Sequence, residues 1–338
     1  MRAFVITGPR ESHVAEVADP VAAPGQAVIG VQRAGVCGTD VELFTGEMAY
    51  FRQGHTQYPV RPGHEWCGTV SAVGDGVDPA WLGVPVTGDT MLGCGQCRRC
   101  LGGLHQVCEQ RREVGIRGGW PGALAEQIAM PVSALRVLPP GMDATTGAMV
   151  EPAGGALRAV RAAGLAPGDR LLVLGPGTMG LLAVMLALAQ GAEVHVLGET
   201  PESLRLATEL GASGAWRAGE LPPLPLDAVI DCSTSAELPA QALDLVEPGK
   251  RVVYIGLAGR PSLADTRVMV LKDLTVTGIL GASAGLAGAI EMFSSGSVDP
   301  RPLVAATVGL AEVGAVLAGS RPASAGPGPK IHVDPRHP

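Results

Sequence analysis

Four cysteines crowd into one short stretch, Cys94, Cys97, Cys100 and Cys108, spaced C-x2-C-x2-C-x7-C in a chain that holds 7 cysteines in all. Four thiolates so close suit a closed tetrahedral Zn²⁺ site, whose Zn–S bonds are fixed near 2.3 Å. Gly95, Gly102 and Gly103 allow the tight turns of such a lobe, which we place over residues 90–110. Two disulfides are the competing use of four cysteines. The N-terminal MRAFVITGPRES has an apolar stretch far too short for an export signal, so the thiols are expected reduced and the chain cytoplasmic. A nucleic-acid zinc module would need a basic face, and Arg98 with Arg99 does not make one.

The second chemical signal is G-P-G-T-M-G at 175–180. It follows the apolar Leu171–Leu174 and opens an uncharged, Ala- and Leu-rich run that reads as a helix. In a strand–turn–helix unit Gly175 makes the turn and Gly177 lets a pyrophosphate approach the backbone. Gly180 then lets helix pack close to strand. Thr178 and Met179 open the helix, whose free N–H groups face the phosphates. Glu199 stands nineteen residues beyond Gly180, where a carboxylate would grip a ribose diol. That carboxylate would repel a 2′-phosphate, which favours NAD over NADP, although Gly198 sits beside it and Arg205 lies a little further on. The same run is long enough to span a bilayer, but Gly-Pro-Gly near its start would break a spanning helix.

Elements must be arranged to hold these groups. Residues 1–35 read as short strands broken by Pro and Gly, at 3–6, 13–17 and 27–34, with further strands after Glu65 and near 125–129 and 135–138. Glu151-Pro152 opens a helix, and the pattern then alternates β and α, with strands near 171–174, 194–197, 227–232, 251–256 and 274–280. That predicts a parallel, doubly wound sheet. The linker at 220–226 is too rich in proline for a helix, so one crossover is a loop. Cys232 ends a strand of that sheet on the side facing the cofactor, and Gly256 ends the next. Beyond Gly281 come helices over 286–293 and 311–317 and a last strand at 330–333. We read 1–150 as a β-rich domain, 151–281 as the dinucleotide domain and 282–338 as a return to the first. The apolar strand at 274–280 would leave a bare sheet edge, which predicts a homodimer or homotetramer. With 338 residues, 46% of them hydrophobic, and a net charge of −7 without basic runs, two real cores are expected and nucleic acid and membranes are not expected partners.

Together the motifs resemble the zinc-dependent medium-chain dehydrogenase/reductase family, within its alcohol and polyol dehydrogenases. The resemblance runs nearly end to end. It rests on G-V-C-G-T-D at 35–40, G-H-E at 63–65, the cysteine lobe, Glu151-Pro152, the glycine loop and the closing P-K-I-H-V. G-H-E-W and Glu151-Pro152 look closer to the sorbitol and threonine dehydrogenases than to simple ethanol enzymes, and the wording of 58–70 is also similar to 2-deoxy-scyllo-inosamine dehydrogenases. The resemblance implies a GroES-like catalytic domain beside a Rossmann domain, and a second, catalytic zinc in the cleft between them. Cys37 and His64 suit that metal as ligands, with carboxylate oxygen from Glu65 or Glu151, and an open position for water or substrate. Which glutamate binds at rest is left open. Asp40 would orient His64 through its other ring nitrogen.

Zinc as Lewis acid would acidify the substrate hydroxyl so that hydride can pass from carbon to the nicotinamide. Thr39 would take the hydroxyl proton. Where relatives carry an outer histidine this chain has Glu42, so the proton would leave through Glu42, through His55 or through water. The expected reaction is hydride transfer between NAD and a secondary alcohol on a polyol, cyclitol or sugar-like molecule. A zinc-independent reductase of an activated C=C or aldehyde, and a non-catalytic zinc-lobe binding protein, are the competing readings.

Overall fold

The computed structural model describes residues 1–337 and divides into two compact units. The first comprises Met1–Glu151, Val304–Gly326 and Lys330–Pro338; the second comprises Pro152–Leu303 and Pro327–Pro329. Among the described residues no helix is long and apolar enough to cross a membrane.

In the first unit, strand Gln26–Val36 is central. It pairs antiparallel with Glu65–Val73, Gln127–Pro131 and Lys330–Val333. The sheet continues from Glu65–Val73 through Pro85–Gly88 to Leu135–Val137, and from Lys330–Val333 to Val304–Val308, its parallel neighbour. Side chains alternate across such strands, so one face packs inward. Ile29, Trp66, Ile128 and Val333 meet Phe4 and Ile6 of the hairpin strand Arg2–Gly8 in one buried core. This is the β-rich domain expected, built mostly of antiparallel pairs.

The second unit carries six parallel strands. In spatial order across the sheet they run Gly214–Trp216, Glu193–Leu197, Arg170–Leu174, Leu226–Asp231, Val246–Tyr254 and Thr275–Gly278. Numbered by sequence this is 3-2-1-4-5-6, the doubly wound order with its switch point beside the first strand. The short strand Gly214–Trp216 escapes sequence reading because three residues give no periodicity. From Trp216 the chain reaches Leu226 without a helix, as the prolines predict. The strand Thr275–Gly278 is one edge of the sheet and Gly214–Trp216 the other.

The boundary expected at Gly281 falls elsewhere: the chain stays with the dinucleotide unit to Leu303. The reason is a glycine contact. A Cβ on Gly285 would lie 2.0 Å from the Gly154 carbonyl oxygen, so the turn before helix Leu286–Ser294 is seated directly on helix Val150–Ala163. The helix expected over 286–293 therefore belongs with the Rossmann sheet. The chain returns to the first unit at Val304, bringing strand Val304–Val308, the short helix Val313–Leu317 and strand Lys330–Val333.

Candidate metal centres and dinucleotide site

The cysteine lobe closes on itself. The Sγ atoms of Cys94, Cys97, Cys100 and Cys108 all lie within 4.8 Å of one another, with Cys94–Cys100 at 3.9 Å and Cys97–Cys108 at 3.8 Å. A tetrahedron with metal–sulfur bonds of about 2.3 Å has edges of about 3.8 Å. The thiols thus already have the shape of a Zn²⁺ shell. The backbone N–H groups of Gln96 and Cys97 hold the Cys94 thiol down to about 6, which favours the thiolate a metal needs.

The lobe is also tied to the rest of its unit. His105 Nε2 lies 2.8 Å from Asp89 Oδ2. Asp89 is buried just before Thr90, whose hydroxyl lies 3.2 Å from the His64 carbonyl and 3.5 Å from Glu151 Oε1.

The second cluster brings Cys37, His64 and Glu65 together from separate stretches, their ligand atoms within 4.8 Å of one another. Cys37 caps helix Gly38–Thr45, directly after the central strand ends at Val36. Asp40, fully buried, spends one carboxylate oxygen on the Cys37 N–H at 2.9 Å and the other on the Gly63 N–H at 3.1 Å. The second oxygen also lies 3.7 Å from His64 Nδ1, which has no hydrogen-bond partner among the described residues. Asp40 therefore fixes the Cys37 turn and the approach to His64 at once. Burial alone would depress His64, but Asp40 and then Cys37 outweigh it and hold its pKa well above the ordinary value. A cation is favoured at this spot, the electrostatic condition for a metal.

Glu65 begins the strand opposite Gly35, whose missing side chain makes room for it: a Cβ there would lie 2.1 Å from Glu65 Oε2. Both Glu65 oxygens accept from Lys330 Nζ, at 2.9 and 2.6 Å, and the same ammonium donates to the Val36 carbonyl at 3.0 Å. Lys330 is the functional residue that sequence reading passed over. Its signal was present, since it is one of only three lysines and stands in the closing P-K-I-H-V.

Glu151 lies in the first turn of its helix and is pushed up to about 7. Burial is the main cause; His64 and Lys330 pull it down, while Glu65 and Asp89 push it up. Thr39 and Glu42 share a face of helix Gly38–Thr45, three residues apart. The Glu42 carboxyl is raised by burial and by Glu47. His55 is exposed, edge-on to the Tyr50 ring at 5.8 Å and 3.4 Å from Arg117 Nη2.

In the second unit the glycine turn has the form its spacing predicts. Gly175 takes φ +85° with Ser233 Cα 2.9 Å from where a Cβ would stand, and a Cβ on Gly180 would lie 2.1 Å from the Gly175 carbonyl oxygen. Gly177 caps helix Thr178–Ala189 and faces open space, where a phosphate can reach the backbone. Cys232 and Gly256 pack on the same turn, for a Gly256 Cβ would meet the Ser233 and Cys232 backbone. Cys232 is a thiol raised by burial, and Cys67 is a buried thiol raised to about 12 that lies 3.1 Å from the Ala144 carbonyl. Glu199 is exposed just before helix Pro201–Glu209, and Gly198 has no room for a side chain because Pro176 Cγ would be 2.6 Å from its Cβ.

Comparison with known proteins agrees with this architecture. The family model for the alcohol dehydrogenase GroES-like domain matches residues 23–140, and that for the zinc-binding dehydrogenase matches residues 178–295. L-threonine 3-dehydrogenase of Bacillus velezensis is 30% identical over 303 residues, covering 86% of this chain and 86% of that protein. Sorbitol dehydrogenase of Halalkalibacterium halodurans is 29% identical over 294 residues, covering 82% and 83%. The crystal structure of a putative zinc-binding dehydrogenase from Sinorhizobium meliloti 1021 bound to NADP superposes with a TM-score of 0.89 at 29% identity, covering 99% of both chains. The chain belongs to the zinc-dependent medium-chain dehydrogenase/reductase family. It is an alcohol or polyol dehydrogenase that uses zinc and a nicotinamide cofactor.

Proposed function

We propose that this enzyme transfers hydride between NAD and a secondary alcohol on a polyol, cyclitol or sugar-like molecule, with Cys37, His64 and Glu151 holding the catalytic zinc and the four cysteines a structural one. The observation that carries the ligand choice is the Glu65–Lys330 pair. Glu65 has both oxygens committed to a buried ammonium, whereas among the described residues the Glu151 carboxylate meets a single hydroxyl, that of Thr90, at 3.5 Å. Charge points the same way, because the Cys37 thiolate and one free carboxylate balance Zn²⁺ while Glu65 and Lys330 balance each other. With Nδ1 on the Asp40 side, His64 offers Nε2 to the metal.

When bound, zinc supplies Lewis acidity to an alcohol oxygen and the nicotinamide accepts hydride. The chain's own residues do the rest. Asp40 holds the Cys37 turn and the His64 ring in place. Thr39 takes the hydroxyl proton, and Glu42 is the outer acceptor, its carboxyl made more basic by burial and by Glu47. Gly175, Gly177, Thr178, Met179 and Gly180 bind the pyrophosphate, with Cys232 and Gly256 shaping the turn's floor. Glu199 binds the adenosine ribose, which favours NAD. The exposed edge strand and the bare Val270 (79% exposed) and Leu271 (85% exposed) support a homodimer or homotetramer.

NAD⁺ and NADP⁺ reduction across secondary alcohols, polyols and aminocyclitols, with zinc counted by metal analysis, tests this reading. Two zincs per chain and NAD-linked turnover of at least one polyol are expected. One zinc, or no turnover, would refute it.

A further inference from the structure

The first unit contains a cavity of about 470 Å³ walled by residues 54–61 on one side and by 115, 116 and 118–121 on the other. Its volume suits a sugar-sized molecule. Among its lining residues Arg61 carries the one permanent charge, and no carboxylate lines it. The Arg61 guanidinium is half-buried and meets no acid and no hydrogen-bond acceptor among the described residues. Burial therefore lowers its pKa with no anion to offset the loss. A half-buried, unpaired guanidinium is costly unless something outside the chain satisfies its fork of donors.

The surroundings reinforce that sign. Behind the wall Arg117 Nη2 lies 3.4 Å from His55 Nε2, and the Arg112 guanidinium lies over the Trp120 ring at 5.7 Å. Glu113, which could have neutralised them, is taken by Arg111 at 2.7 Å and by the Tyr50 hydroxyl at 3.0 Å. Val60, Ile116 and the Trp120 ring give the cavity an apolar wall against which the C–H face of a carbon chain can lie.

The cavity is also tied to the metal cluster by backbone. Gly122 N–H donates to the Arg61 carbonyl at 2.8 Å, and Ala123 N–H donates to the Gly63 carbonyl at 2.8 Å. His64 follows three residues after Arg61, a Cα separation of at most about 11 Å. That is within reach of the far end of a six-carbon substrate.

We propose that Arg61 is a specificity-determining residue, binding an oxyanion (carboxylate or phosphate) at the end of a polyol substrate whose secondary alcohol reacts at the Cys37–His64 cluster. This rests on the dehydrogenase reading above. It narrows the substrate class to acidic polyols and disfavours aminocyclitols, whose ammonium the guanidinium repels.

The test compares zinc-loaded wild-type, Arg61→Met and Arg61→Lys proteins on a neutral hexitol, its terminal phosphate ester and the matching aldonate. Turnover with NAD⁺ and binding by calorimetry are both read. In the wild type one of the two anions should exceed the neutral hexitol by about 10- to 100-fold in kcat/KM and in affinity, the range of a charge-assisted bidentate contact. Which anion wins identifies the oxyanion. Arg61→Met should shrink that preference below about 3-fold and Arg61→Lys should keep part of it. Equal binding of charged and neutral compounds by the wild type, or a preference that survives Arg61→Met, overturns the proposal. Anion binding that depends on Arg61 without any turnover would count against the dehydrogenase reading and leave the oxyanion site standing.

Discussion

Lys330 Nζ sits between the two carboxylate oxygens of Glu65, at 2.9 and 2.6 Å, with both side chains about 97% or more out of solvent. Removing one member of such a pair strands the other charge in a medium that cannot solvate it. Lys330→Met should therefore cost about 3–5 kcal/mol of unfolding free energy. The double variant Lys330→Met/Glu65→Gln should recover much of that loss. Urea titration of the four proteins of the cycle checks this, and a single-variant cost below about 1 kcal/mol would contradict it.

Metal content separates the two glutamates. Wild type should hold two zincs per chain, Cys37→Ala and Glu151→Gln about one, and Glu65→Gln two. Elemental analysis after dialysis decides it. If Glu65→Gln loses metal while Glu151→Gln keeps it, the ligand assignment is reversed.

The cysteine lobe should be a stability device and not a catalytic one. Cys97→Ser leaves three thiols around the metal, so it should lose one zinc and expose residues 94–108 to protease. NAD(H) binding, read by fluorescence, should persist. Retention of both zincs in this variant would show that the four thiols do not act as one shell.

His332 offers a pH signature. It is fully buried, neither ring nitrogen finds a partner among the described residues, and its pKa falls from 6.5 to about 3, through burial first and then the charges of Lys330 and Arg33. The unfolded chain takes up a proton on this ring below about pH 6.5 while the folded one does not. Its contribution to stability is therefore complete above 6.5 and is lost as pH falls toward about 3. The slope should reach about 1.4 kcal/mol per pH unit. Between about pH 6.5 and 5.5, His332→Leu should flatten this slope in urea titrations run in a Glu151→Gln background, because the Glu151 carboxyl, pushed up to about 7, titrates across the same window. An unchanged slope would show that another group carries it.

Cofactor choice turns on an exposed carboxylate. Glu199→Ala should narrow the preference for NAD over NADP by about tenfold or less, because a solvated charge at the ribose exerts a screened effect. Ratios of kcat/KM for the two cofactors measure it.

Sequence motifs disclosed what local spacing encodes. The cysteine shell and the glycine turn are short stretches whose residue types carry their own geometry, and both hold the form expected. The alternation of strand and helix gave the Rossmann sheet for the same reason. What stayed hidden depends on strand register. Nothing near Glu65 or Lys330 in sequence announces that Val36 brings them together, and Asp40's double hold on Cys37 and Gly63 appears only when helix and loop meet. The Leu303 boundary was equally hidden, because it rests on Gly285 meeting Gly154 and not on any linker composition. Arg61, between Val60 and Pro62 and ahead of the strand that begins at Glu65, gives no sign in sequence of the cavity it lines with residues of the 115–121 segment.

The 265 residues separating Glu65 from Lys330 have a consequence during synthesis on the ribosome. At about 5–20 residues per second, the carboxylate emerges roughly 13–50 s before its cation. Throughout that interval the nascent N-terminal segment lacks two strands and the only ammonium able to quiet its buried acid, while the whole dinucleotide unit is still being translated. The catalytic half of this enzyme is thus begun first and finished last.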